Sequence, residues 1–337
     1  MVSTLYRIPG YLKTLSFLKR VFGGIIKMGP VPKHIGIIMD GSRRYARAHK
    51  LETKEGHNLG FASLADILEL LYESGVDCAT VFAFSIENFN RLPTEVDWLM
   101  DLAKVRLREV VRQGDLCEKY GVRIKILGNV SLFPDDVREL IRETEEVTEK
   151  NDRATLNICF LYTSRDEIAH GIRSTVEDYN EAEAPVFDEK VIEEHLYTSE
   201  SPPLDILIRT SGTFRLSDFL LWQCVSSSCS VVFVDTLWPE FGPWSMVKIL
   251  LDWSFNRYWH GARNYSSSGQ TVAYEHSSDT LTPDTITSVS PEQNKSTSYE
   301  RYPTDGSTTD AEEFLEDDDS SNADKYDTDS PLLGHSN

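Results

Sequence analysis

Short, unbroken apolar runs alternate along this chain with longer stretches whose apolar residues recur three and four positions apart, and that alternation restricts the fold more than any other feature. The runs at 35–39, 80–84, 122–127, 156–160, 206–209 and 231–234 are too short for ordinary helices, and all but 122–127, where Arg123 and Lys125 alternate with apolar residues, lack the apolar–polar alternation of a half-exposed strand. They read as strands buried on both faces. Helical spacing covers 96–117, 135–149 after Pro134, 165–176 and 244–259, as well as the stretch holding Leu59, Leu64, Ile67, Leu68 and Leu71. Doubly buried strands separated by helices form a single α/β domain with a mostly parallel central sheet flanked by helices. Ligands of such sheets bind at the carboxyl ends of the strands.

Charge divides the chain. Residues 1–39 carry Arg7, Lys13, Lys19, Arg20, Lys27 and Lys33 with no acid, whereas 265–337 hold sixteen acidic residues against three basic ones, within a net charge of −20. That balance argues against a nucleic-acid partner. On a helical wheel Tyr11, Leu15, Leu18, Phe22 and Ile25 share one side and Lys13, Arg20 and Lys27 the other, the pattern of a basic amphipathic helix. Such a helix suits an anionic membrane or a partner, and equally an ordinary packing face on its own domain. Three segments result: a basic amphipathic membrane or partner segment over 1–30, a catalytic domain over 31–262, and an acidic tail over 263–337 whose Ser, Thr, Asp, Glu and Pro cannot bury enough surface to offset ordering entropy. No apolar run reaches the roughly 18 residues of a membrane span. The amino-terminal stretch has no secretory signal core, and the five cysteines show no CxxC spacing, as expected of reduced structural thiols facing the cytosol.

Three strand ends concentrate polar chemistry. The first run delivers Asp40 to a turn followed by Gly41, Ser42, Arg43 and Arg44. A strand-end carboxylate is a sound Mg²⁺ ligand, and helix-start N–H groups beside arginines suit a diphosphate, although the same residues also suit an N-cap with solvated arginines. After the second run come Ser85, Glu87, Asn88, Phe89, Asn90 and Arg91, which by themselves also read as turn and capping types. A third set, Arg209, Arg215 and Ser217 around Gly212, forms a second anion site enclosed by apolar neighbours. His57, following Gly56, suits either phosphate donation or a plain helix cap. Asp135-Asp136 complements a helix dipole.

Taken together, His34-Ile35-Gly36-Ile37-Ile38-Met39-Asp40-Gly41-Ser42-Arg43-Arg44-Tyr45-Ala46, Glu55-Gly56-His57, Ala83-Phe84-Ser85-Ile86-Glu87-Asn88-Phe89, Arg209-Thr210-Ser211-Gly212, Arg215-Leu216-Ser217-Asp218-Phe219-Leu220-Leu221-Trp222-Gln223 and Leu237-Trp238-Pro239-Glu240 occur in order. This series resembles the cis-prenyltransferase family, the undecaprenyl and dehydrodolichyl diphosphate synthases, with the fungal-type catalytic subunits nearest in pattern. The resemblance implies an enzyme that adds isopentenyl diphosphate units to an allylic, farnesyl-type diphosphate, giving long Z-polyprenyl diphosphates for dolichol synthesis and protein glycosylation. It implies that Asp40 binds Mg²⁺ and the allylic diphosphate, with Gly41, Ser42, Arg43, Arg44 and His57 on the phosphates. Tyr45, Ser85, Glu87, Asn88, Phe89 and Arg91 would line the first site, Asn88 in a catalytic positioning role, and Arg209, Arg215 and Ser217 would hold isopentenyl diphosphate. The growing chain would run in an apolar tunnel walled by the helices that begin near His57 and Val96.

Four departures from the family pattern accompany the match. Ser42 stands for the usual Asn, Thr213 for a frequent Glu, and Ser228 for a metal-binding Glu of bacterial homodimers. No Arg-x-Gly follows the closing helix. The resemblance therefore implies a related, non-catalytic partner subunit that carries Arg-x-Gly, at the cytosolic face of the endoplasmic reticulum membrane or of a lipid droplet. A competing reading makes this chain the non-catalytic scaffolding subunit. Such subunits typically lose the first-motif Asp and keep Arg-x-Gly, the reverse of what is found here. The closing helix is apolar on several sides; with Trp244, Val247 and Leu251 serving the domain, Met246, Ile249, Leu250, Trp253 and Tyr258 would need a partner's cover.

Overall fold

The computed structural model describes residues 11–90, 92–113, 115–179, 188–226, 228–260 and 272–274. Each apolar run is a strand: β1 (His34–Ile38), β2 (Cys78–Ser85), β3 (Val122–Leu127), β4 (Ala154–Tyr162), β5 (Ile206–Arg209) and β6 (Ser230–Val234). A short β7 (Val272–Tyr274) completes a seven-stranded sheet of order β3-β4-β2-β1-β5-β6-β7, with every pair parallel. β7 falls inside the stretch expected to be tail. Its Val and Tyr are residue types that strands favour, and it meets the otherwise open edge of β6. Residues 1–10, 261–271 and 275–337 lie outside the described residues, and with them the rest of the expected tail.

The helices are α1 (Tyr11–Ile26), α2 (Ser42–Ala48), α3 (Thr53–Glu73), α4 (Pro93–Gln113), α5 (Asp115–Tyr120), α6 (Asp135–Thr148), α7 (Ser164–Tyr179), α8 (Glu189–Glu194), α9 (Leu221–Cys224) and α10 (Pro243–His260). The helix expected over 96–117 is described as helix on both sides of residue 114, which lies outside the described residues. Alternate residues of the central strands feed opposite layers. Ile35, Ile37, Ile206 and Ile208 join Leu64, Ile67, Leu68 and Leu71 of α3 and Met246, Ile249, Leu250 and Trp253 of α10. On the other face Ile38 and Leu207 pack with Tyr162, Leu204, Phe219 and Leu220. A third cluster joins Val96 and Leu107 of α4 to Val137 and Ile141 of α6.

Two amphipathic expectations need correction. α10 buries Met246, Ile249, Leu250 and Trp253 in its own domain and exposes Trp244, Leu251, Phe255, Tyr258 and Trp259. Its apolar residues surround the helix, so their spacing cannot select a face, and contact with α3 and the sheet does. α1 docks on its domain through Lys19, Phe22, Gly23 and Ile26 rather than through Ile25. Lys19 is buried and paired with Asp66 at 2.7 Å and Glu69 at 2.8 Å, and Phe22 meets the edge of Trp244. Burial pushes Glu69 up, yet bonds from Lys119 and Lys19 prevail and bring it down to about 2.

His34 shows how polar groups are accommodated beneath the sheet. Its Nδ1 lies 2.7 Å from the carbonyl of Pro202, which only accepts, so Nδ1 carries the proton and Nε2 accepts from Thr80 Oγ1 at 2.7 Å. Burial lowers this imidazole to about 4, in keeping with the neutral form. α2 and α3 approach so closely that a Cβ on Gly56 would stand 2.5 Å from the Ser42 carbonyl oxygen. Gly56→Ala should therefore cost about 1–3 kcal/mol and lower the melting temperature by several degrees, checked by calorimetry. An unchanged Tm would contradict this packing.

Candidate active site

The order of the sheet brings the motifs together. β1 lies between β2 and β5, all three parallel, so the segments that follow them meet at one end of the sheet, the carboxyl end at which such sheets bind ligands. Ile38 pairs with Arg209 across β1 and β5, which puts Asp40, just past β1, within reach of the arginine that ends β5. Arg209 Nη2 donates to Asp40 Oδ2 at 2.8 Å, and its Nη1 donates to Ser217 Oγ at 2.7 Å and to the Arg215 carbonyl at 2.6 Å. Arg209 is buried, with 5% of its side chain exposed against 32% for Asp40. Arg44 closes the other side, reaching Asp40 Oδ2 at 3.3 Å, Thr213 Oγ1 at 3.3 Å, the Ser211 carbonyl at 3.0 Å and the Ser211 hydroxyl. The two anion sites expected from the sequence are therefore contiguous, joined through one carboxylate.

The backbone around Asp40 is equally constrained. Its carbonyl accepts from Thr210 Oγ1 at 2.8 Å and from the Trp238 N–H at 3.0 Å. Gly41 has φ +111°, and a Cβ there would meet Leu237 at 2.9 Å, so both conformation and space require glycine. Ser211 (φ +84°) and Gly212 (φ +65°) turn the third motif back toward β6, where their N–H groups reach the carbonyls of Thr236 and Val234. Burial pushes the Asp40 carboxyl up, but hydrogen bonds from Arg209 and Ser211 and the charges of Arg209 and Arg44 outweigh it and hold the group below the usual carboxylate range.

Gly41 and Ser42 open α2, and both are buried. Arg43 is exposed and faces Glu95 of α4 at 3.9 Å. Tyr45 is buried, stacks on His49 and stands near Glu240. The His57 ring lies 5.6 Å from that of Trp98, and Arg106 of α4 covers Phe61 of α3 at 4.1 Å. In the turn after β2, Asn88 Oδ1 accepts from the Ser85 N–H at 3.0 Å, Ser85 Oγ accepts from the Glu87 N–H at 3.2 Å, and Phe89 meets the edge of Phe84. Arg215 is exposed, and Ser217 has φ +50°. Arg91 lies outside the described residues. Ser228 precedes β6 at the amino end of that strand, the end of the parallel sheet opposite Asp40.

Arg165 and Asp218 escaped the sequence reading of the site. Arg165 Nε donates to Asp218 Oδ2 at 2.7 Å and Nη2 donates to Glu87 Oε1 at 2.6 Å. The signal was present, since Arg165 follows the end of β4 as the other site residues follow theirs.

Among the described residues no three of His, Cys, Asp and Glu gather as a closed metal cage. Mg²⁺ does not need one, since it commonly takes one or two carboxylates together with waters and phosphate oxygens. Asp40 suits such an open shell: it is ionised, partly exposed, and receives both arginines on the same oxygen, Oδ2.

The family model "Putative undecaprenyl diphosphate synthase" matches residues 38–261. A dehydrodolichyl diphosphate synthase complex subunit of Schizosaccharomyces pombe is 43% identical over 242 residues, 71% of this chain and 91% of that protein. The corresponding Homo sapiens complex subunit is 44% identical over 244 residues, 72% of this chain and 73% of that one. Among solved structures, lavandulyl diphosphate synthase of Lavandula x intermedia in complex with dimethylallyl diphosphate has a TM-score of 0.59 at 28% identity, covering 66% of this chain and 95% of that one. A probable undecaprenyl diphosphate synthase of Campylobacter jejuni has a TM-score of 0.55 at 28% identity over the same shares.

The Asp40 shift has a pH signature. An unfolded Asp titrates near about 3.9, above the folded Asp40, so the unfolded chain takes up the proton first on acidification. The stability Asp40 lends is complete above that value and is lost as pH falls through the lower folded value. Urea midpoints of the wild type and Asp40→Asn should differ by a constant amount from about pH 7 to about pH 5 and converge below about pH 4. A gap that widens on acidification would contradict the assignment.

Proposed function

Because this chain belongs to the undecaprenyl diphosphate synthase family, the cis-prenyltransferases, we propose that it condenses isopentenyl diphosphate onto an allylic, farnesyl-type diphosphate to build long-chain Z-polyprenyl (dehydrodolichyl) diphosphate for dolichol synthesis. The observation that carries this reading is the Asp40–Arg209 contact, which sets a carboxylate and a buried guanidinium between two clusters of anion-binding groups.

In this reading the allylic diphosphate lies over Gly41 and the start of α2, within reach of Arg43, Arg44 and His57. Asp40 would hold Mg²⁺, which when bound supplies positive charge to the leaving diphosphate. The helix-start N–H groups of α2 and the guanidinium of Arg44 stabilise that same charge as it develops. Arg215 and Ser217, oriented by Arg209, hold isopentenyl diphosphate with its double bond toward the allylic carbon. Asn88, its carbonyl oxygen fixed by the Ser85 N–H, presents its amide to the reacting groups. Phe84 and Phe89 form an apolar wall that keeps water from the cation-like centre. The lengthening chain leaves between α3 and α4. The alternative of a non-catalytic scaffolding subunit is not favoured, because Asp40, Arg44 and Arg209 stand assembled.

The reading extends to partner and place. The S. pombe and human relatives are named as complex subunits, and residues 261–337 contain no Arg-x-Gly sequence, so a related subunit carrying that motif would complete the site. No helix among the described residues is long and apolar enough to cross a membrane. The outward side of α1 exposes Phe17, Val21 and Ile25 beside Arg20 and Lys27, with Met28 just beyond it; that mixture suits a peripheral seat on the cytosolic face of the endoplasmic reticulum membrane.

The test is Mg²⁺-dependent incorporation of labelled isopentenyl diphosphate by the chain co-expressed with its related subunit. Asp40→Ala should abolish incorporation while the chain still folds. Arg215→Ala should raise the KM for isopentenyl diphosphate about tenfold, well beyond any change in that for the allylic substrate. Near-normal turnover of Asp40→Ala would overturn the reading.

A further inference from the structure

The loop that carries Arg215 and Ser217 keeps an unusual backbone, with Ser217, Asp218 and Leu220 at φ +50°, +58° and +48°. Three non-glycine residues hold the left-handed region only where their surroundings over-determine it. Here the surroundings are the first turn of α7. The Ser164 N–H donates to the Asp218 carbonyl at 2.8 Å, and Ser164 Oγ accepts from the Leu221 N–H at 2.9 Å. The Arg165 N–H donates to Asp218 Oδ1 at 3.1 Å while its Nε donates to Oδ2 at 2.7 Å, so one residue grips both oxygens of a carboxylate that is only 10% exposed. One turn deeper, the buried Glu167 carboxylate accepts from Gln223 Nε2 at 3.0 Å, from the Thr198 N–H and hydroxyl, and from the Tyr162 hydroxyl. The start of α7 is thus a template on which residues 217–223 are laid.

Arg165 also reaches from this template to the turn after β2. Its Nη2 donates to Glu87 Oε1 at 2.6 Å, on the turn that also carries Asn88 and Phe89. We propose that Arg165 is a positioning residue of the reaction: by holding Asp218 and Glu87 together, it fixes the spacing between the isopentenyl diphosphate loop and the allylic-site turn. This rests on the reading of those two loops as diphosphate sites. An exposed ion pair contributes little to stability, and the Arg165 backbone N–H holds Asp218 Oδ1 whatever the side chain, but that side chain ties Asp218 to Glu87, and a small displacement between reacting groups costs rate steeply. The effect belongs in kinetics rather than in melting. An Arg165 that instead touched a diphosphate directly would not act through Asp218.

The two cases separate in a double-mutant cycle on the full-length chain co-expressed with its related subunit. Arg165→Ala and Asp218→Asn should each lower kcat/KM for isopentenyl diphosphate about tenfold, with the double variant no worse than about either single one. Melting of Arg165→Ala should be unchanged, its side chain being 72% exposed. If Asp218→Asn melts early, Asp218→Glu, which keeps the charge on a longer arm, supplies that limb of the cycle. Wild-type kinetics for Arg165→Ala, or losses that multiply in the double variant, would overturn the inference while the functional reading stands. No incorporation by the wild-type complex would overturn that reading and the inference with it.

Discussion

The contact between Asp40 and Arg209 is the constraint on which the rest of the site depends. Two neighbouring parallel strands end in residues of opposite charge, and Arg209 is buried where a lone guanidinium would be costly. The arginine cannot leave without abandoning Asp40, Ser217 and the Arg215 carbonyl together. Its position therefore transmits the geometry of the first strand end to the loop of the third. The Nε of Arg209 is buried without a partner among the described residues, so the contacts made through its two terminal nitrogens carry the whole compensation.

Around that contact the fold supplies rigidity from each layer. Thr210 and Trp238 clamp the Asp40 backbone, and Gly41 and Gly56 let α2 lie against Leu237 and α3. α7 contributes the buried Glu167 and the bridging Arg165, so a helix whose motif is inconspicuous holds two loops whose motifs are conspicuous. The site is built from strand ends and helix starts because those are the places where backbone groups lack regular partners and side chains can converge.

The six strands were legible because each is a short, mostly apolar run, broken in β3 by Arg123 and Lys125, and the three polar clusters were legible because each directly follows such a run. Strand order was not, since apolar content does not encode which strands pair, and it took the placement of β1 between β2 and β5 to show that the two anion sites share Asp40. Face selection failed for α10, whose apolar residues surround the helix, and for Ile25 of α1, where the buried Lys19 and its two carboxylates set the rotation instead. Arg165 was missed because an Arg after a Thr-Ser pair resembles an ordinary helix start, and only its two partners, from distant parts of the chain, distinguish it.

The most direct test of this account is a double-mutant cycle on folding stability, by urea unfolding at neutral pH, with Asp40→Asn, Arg209→Gln and the pair. If the contact joins the strand ends as described, each single change leaves a partner uncompensated and the double change costs no more than the worse single one, a coupling of about 2 kcal/mol or more. Single costs that add to within about 0.5 kcal/mol would show that Asp40 and Arg209 act independently and would contradict the account.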